Sequence, residues 1–77
     1  MENLAREIAE FAKEIDYYDY IDQYNSDYEA VKDAWESLTN PKYRKGLLAD
    51  LKGTIEYSDN MDLVAKATVI YRKVVAL

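Results

Sequence analysis

The chain contains neither cysteine nor histidine. Their absence removes disulfides, thiolate and imidazole metal ligands and any imidazole base, so zinc sites, thiol redox chemistry and His-activated nucleophiles are excluded together. Proline occurs once, and glycine only at Gly46 and Gly53, too few for a glycine-rich loop that cradles a phosphate. No apolar run approaches the roughly 18 residues that a membrane span needs. The opening residues, Met1-Glu2-Asn3-Leu4-Ala5-Arg6-Glu7, lack the basic start and apolar stretch of a secretory signal, and a cytoplasmic setting is the expectation.

What is present is acid and tyrosine. Acidic side chains outnumber basic ones 15 to 10, for a net charge of −5, and the excess is unevenly placed. Residues 1–40 hold 11 carboxylates against Arg6, Lys13 and Lys32, a local net of −8, while residues 41–77 carry a net of +3. Between Lys13 and Lys32 there are six carboxylates and no cation, and five of the eight tyrosines fall in the same window: Tyr17, Tyr18, Tyr20, Tyr24 and Tyr28.

Periodicity gives the fold class. Leu4, Ile8, Phe11 and Ile15 step by four, three and four, the stripe of an amphipathic helix over about residues 3 to 15. The stripe then resumes on a rotated face at Tyr17, Tyr20, Ile21, Tyr24 and Tyr28, which predicts a break with Asp16 as the cap of a second short helix. Ser26-Asp27-Tyr28-Glu29 has the form of a capping box, and Tyr28, Val31, Ala34, Trp35 and Leu38 follow at helical spacing. Thr39-Asn40-Pro41 ends that helix and opens the next, because proline restricts the residue before it and suits a first helical position. Arg44, Leu47, Leu48, Leu51 and Ile55 continue the pattern, with Gly53 as a stop or a weak point. Ser58-Asp59-Asn60 offers caps for a last segment, in which Leu63, Ala67, Ile70, Val74 and Leu77 form a seam of coiled-coil spacing. Val69-Ile70-Tyr71 and Val74-Val75 are β-branched enough for a strand, yet they do not alternate with polar residues and have no second strand to join.

The prediction is therefore an all-α fold, a small bundle of about four to five short helices making one domain over residues 1–77. Its expected core comprises Leu4, Ile8, Phe11, Ile15, Val31 and Trp35 from the first half, and Leu38, Leu48, Leu51, Leu63, Ile70 and Val74 from the second. A chain this short removes only about 60 to 65% of its unfolded surface from water. With no disulfide to help, the long α-helical seam at Leu63, Ala67, Ile70, Val74 and Leu77 is expected to pair with a second copy as a homodimer.

Few chemistries remain. The serines and threonines have no base to activate them, and they sit where caps and surface positions explain them. Asp16, Asp19 and Asp22 are spaced by three, as are Asp59 and Asp62, but neither set has the alternating oxygen ligands and central glycine of a calcium loop. No enzyme activity, metal or cofactor is expected. Lys42, Arg44, Lys45 and Lys52 cluster with Tyr43, yet four cations are a thin footprint for DNA beside an acidic half that repels phosphate.

The Tyr and Asp segment carries the functional content. Helical residues three apart rise about 4.5 Å along the axis, so Asp16, Asp19 and Asp22 form a row of negative charge on the few-ångström scale of a phosphate backbone. Tyrosine adds flat, amphipathic contact area that protein interfaces favour. The leading expectation is a non-enzymatic protein-binding domain, an acidic nucleic-acid mimic inhibiting a DNA-binding or nuclease enzyme, as anti-restriction and anti-CRISPR proteins of phages and plasmids do. Its contact residues would be Asp16, Tyr17, Tyr18, Asp19, Tyr20, Asp22, Tyr24, Asp27 and Tyr28, set against a partner with a basic surface. A self-associating structural or immunity-type bundle is the alternative, and a DNA-binding regulator using residues 42–52 is the third.

Overall fold

Five helices follow one another in the computed structural model, which describes all of residues 1–77: α1 (Glu2–Ile15), α2 (Tyr17–Gln23), α3 (Asp27–Thr39), α4 (Pro41–Tyr57) and α5 (Met61–Val75). The structure is 86% helical with no strand, a small helical bundle as the periodicity predicts. No helix is long and apolar enough to cross a membrane.

Each boundary has a local cause. Asp16 takes an extended conformation after α1, and its carboxylate accepts the Asp19 N–H at 3.0 Å to start α2. Ser26 caps α3 by accepting from Glu29 N–H, while the Glu29 carboxylate reaches back to the N–H of Asn25 at 2.9 Å. The capping box is thus present with its return bond shifted one residue upstream. Asn40 caps α4 with Pro41 in its first turn, and Asn60 caps α5 by accepting from both Asp62 and Leu63. Gly53 is not a stop, since α4 runs through it to Tyr57.

The core is built from small side chains as much as large ones. Ala5 and Ala9 of α1 and Ala30 and Ala34 of α3 are all buried, so small side chains make up much of the α1–α3 contact, with Ile8, Val31 and the Tyr20 ring packed around them. Leu38, Leu51, Ala67, Ile70 and Val74 join Ile8 and Phe11 in the main cluster, where α5 packs against both α4 and α1. Leu4, Val31, Leu48 and Leu63 pack against that cluster half-buried.

Three expectations are corrected here. Ile15 is 46% exposed, because it is the last residue of α1, beyond the point where a neighbouring helix covers it. Trp35 is 44% exposed: α3 turns Ala30, Ala34 and Leu38 inward, and the residue one step past Ala34 falls at the edge of that stripe. The α5 seam is consumed inside the bundle, with Ala67, Ile70 and Val74 at 0 to 1% exposure, so it offers no face to a second copy. Only Leu77 at its end remains 49% exposed.

The two oppositely charged halves pair directly. Lys66 and Lys73 of α5 reach Glu14 and Glu7 of α1 at 2.7 and 2.8 Å. Arg44 points back from the first turn of α4, where a cation is badly placed against the helix dipole, and donates through Nε and Nη2 to the carbonyl of Leu38 at 3.0 and 2.6 Å. It closes the end of α3 with the charge that a helix C-terminus favours.

Candidate partner-binding surface

The acidic, tyrosine-rich window folds into α2 and the start of α3. A helix of seven residues is too short to persist on its own, so α2 depends on what it packs against. Its inner face is Tyr20 and Tyr24, four residues apart, with ring centroids 5.3 Å from each other in an edge-on arrangement. Tyr20 is 6% exposed and packs with Ala9 and Ala30, and Tyr24 lies half-buried beside it.

Both hydroxyls end on aspartates of α3. Tyr20 donates to Asp27 Oδ1 at 2.7 Å, and Tyr24 donates to Asp33 Oδ2. Lys13 completes the group, with its ammonium 5.6 Å from the centre of the Tyr20 ring and 3.6 Å from Asp27 Oδ1. These contacts displace three ionisations. Desolvation, then the hydrogen bond to Asp27, pushes the Tyr20 hydroxyl up to about 12, with the charges of Asp27 and Glu10 adding to it. Tyr24 is raised in the same way, by desolvation first and by Asp33 second. Asp27 is held below its ordinary value, chiefly by the Tyr20 hydroxyl and then by the Lys13 charge.

The outer face is different. Tyr18 and Asp22 lie four apart on the side of α2 away from Tyr20, with Tyr18 79% exposed. Tyr17, Ile21 and Asp19 flank them, all exposed, and Tyr17 meets Tyr18 edge-on at 5.9 Å. None of Asp16, Asp19 and Asp22 forms an ion pair.

The nine residues singled out in the sequence therefore divide. Asp16, Tyr17, Tyr18, Asp19 and Asp22 are all exposed along α2, although the Asp16 carboxylate also caps the helix and Tyr17 shares a shallow cleft with Lys13, Tyr20 and Tyr24. Tyr20 and Tyr24 face inward, and Asp27 is engaged by Tyr20 and Lys13; these three hold α2 in place. Tyr28 is 75% exposed but belongs to another surface, a groove of about 790 Å³ between α1 and α3. That groove has Ala9 and Val31 along it and Trp35 at its far end, and Arg6, Glu10 and Lys32 on its rims.

Sequence reasoning missed Ile21 and Trp35 as surface residues. Trp35 sits on an apolar stripe of correct period, so periodicity assigns it to the core, while Ile21, on the stripe of Tyr17, Tyr20 and Tyr24, entered neither the expected core nor the expected contact residues. The signal available was the alanine spacing at Ala30 and Ala34, which marks the closer-packed face of α3. Chemically the surface offers carboxylates, hydroxyls and flat apolar area, with the two perturbed tyrosines locked as neutral donors to carboxylates. No three carboxylates come close enough together to hold a metal ion. Neither a protein family, nor a curated protein, nor a solved structure matches this chain.

Proposed function

We propose that this protein acts by binding another protein, without catalysis, and that α2 is the element that makes the contact. The observation that carries the reading is the exposed side of α2, where Asp16, Asp19 and Asp22 form no ion pair and stand near exposed Tyr17, Tyr18 and Ile21. Unpaired carboxylates at this spacing repel one another in the free protein, and a basic surface relieves that repulsion. The aromatic rings supply desolvated contact area around the charges. A groove shaped for a nucleic-acid backbone has both properties, so the action is inhibition of a DNA-binding enzyme or nuclease by occupying its substrate site.

The basic cluster supports the DNA-regulator alternative less well, because Arg44 is committed to the end of α3 and Lys52 lies 4.0 Å from Glu56. The test is capture of the partner at stepped salt, with double-stranded DNA as competitor. Capture should weaken steeply as salt rises and be displaced by DNA. Replacing Asp16, Asp19 and Asp22 by Asn should abolish it while the protein stays folded, since Asn caps a helix as well as Asp does. Full-strength capture by that triple variant would remove the mimicry reading.

A further inference from the structure

The α1/α3 groove is a second surface, and its chemistry differs from that of α2. Tyr28 and Trp35 lie seven residues apart on α3, which is about 10.5 Å along the axis, two helical turns. Between them the groove is lined by Ala9, Val31 and the Tyr20 ring, an apolar strip that another helix can pack against. The rims carry both signs: Glu2, Glu10 and Asp27 against Arg6 and Lys32. The acidic half has three cations, Arg6, Lys13 and Lys32; two line this groove and the third holds Asp27 at its end. The groove is thus a nearly balanced strip within a region of large negative charge.

That balance argues for one occupant. A basic partner is matched by bare carboxylates, as on α2, whereas a surface of mixed sign is matched by itself when a two-fold axis sets each copy's cations against the other's anions. We propose that the groove is closed by the same groove of a second copy of this chain. The α1 and α3 helices of the two copies then form a four-helix layer in which Tyr28 and Trp35 leave water and Lys32 meets Glu10 of the second copy. The contact uses α1 and α3, not the α5 seam buried in each monomer, and it leaves the outward face of α2 open, so it is independent of the function proposed above.

The protein itself is the probe. Sedimentation equilibrium at high micromolar concentration should give twice the 9.0 kDa of one chain. Trp35 is the sole tryptophan, so its emission should move to longer wavelength as dilution separates the copies. Lys32→Glu and Glu10→Lys, both at exposed positions, should each weaken association by about tenfold or more with unchanged helicity. Mixing the two variants should restore it, because each then supplies the sign the other lacks. A mass of 9.0 kDa at high micromolar concentration overturns the proposal. So does a dimer indifferent to Trp35→Ala and Lys32→Glu, or a mixture of the two charge variants that stays monomeric.

Discussion

Tyr20 shows how one side chain can be read two ways. As a tyrosine in an acidic run it belongs to an interaction surface; in the fold it is the peg that fixes α2 to α1 and α3. Replacing it by Phe keeps the ring and removes the donor to Asp27. Chemical denaturation should show a loss of about 1.5 kcal/mol, the low end of the range for a hydrogen bond to a charged group, because the Asp27 carboxylate is exposed to water. The pH dependence has a definite sign. The hydroxyl titrates near 12 in the folded chain against 10.0 ordinarily, so its contribution is complete below 10 and is lost as pH rises through 12. For Asp27 the folded value is depressed, so its contribution is present above the ordinary 3.8 and disappears as pH falls below it. Phenolate absorbance near 295 nm should therefore develop later in the native protein than in urea, and the delay should shrink in Tyr20→Phe.

At the scale of elements, the joints between helices are built by single polar residues, and Arg44 is the one whose role depends on two helices at once. It belongs to α4 by sequence and completes α3 by geometry, through paired donors to the Leu38 carbonyl. Arg44→Ala leaves that carbonyl without its charged donors, at a cost of about 1.5 to 3 kcal/mol. Arg44→Lys should recover only part, because an ammonium cannot present the same fork. Thermal melting of the two variants orders them wild type, Lys, Ala; equal melting of all three would show that the contact contributes nothing. The paired charges Lys66 with Glu14 and Lys73 with Glu7 are partly exposed and contribute less, about 0.2 to 1 kcal/mol each.

For the molecule as a whole, only 12 of 77 residues are buried, and five of them are alanine, so the large side chains in that core carry disproportionate weight. Ile70→Ala should cost about 2 to 5 kcal/mol, enough to leave a domain of this size partly unfolded at room temperature. Trp35→Ala, despite its size, should cost on the order of 1 kcal/mol in dilute protein, since the ring is 44% exposed. Circular dichroism during urea titration separates the two. A larger loss at Trp35 than at Ile70 would place the tryptophan in the core after all. A charge at Ile70 should unfold the chain instead of merely separating subunits, because the seam it belongs to closes each monomer.

The sequence by itself determined the helices and, apart from the end of α4 beyond Gly53, their limits. Asp16, Ser26, Asn40 and Asn60 cap where their side chains can reach the next N–H groups, and Pro41 opens α4, because capping is a matter of a few neighbouring residues. It also determined the imbalance of charge and the absence of thiol and imidazole chemistry, which are properties of composition. The tertiary structure decided which apolar residues are inside. A stripe of the right period has a width, and which edge is covered depends on how closely the neighbouring helix approaches; the alanines of α1 and α3 let those helices close together and left Trp35 and Tyr28 at the margin. It decided the division of the tyrosines for the same reason, since Tyr20 and Tyr24 needed Asp27 and Asp33 on another helix to accept their hydroxyls. Burial and long-range hydrogen bonds join residues from different helices, and no local pattern specifies where those helices meet.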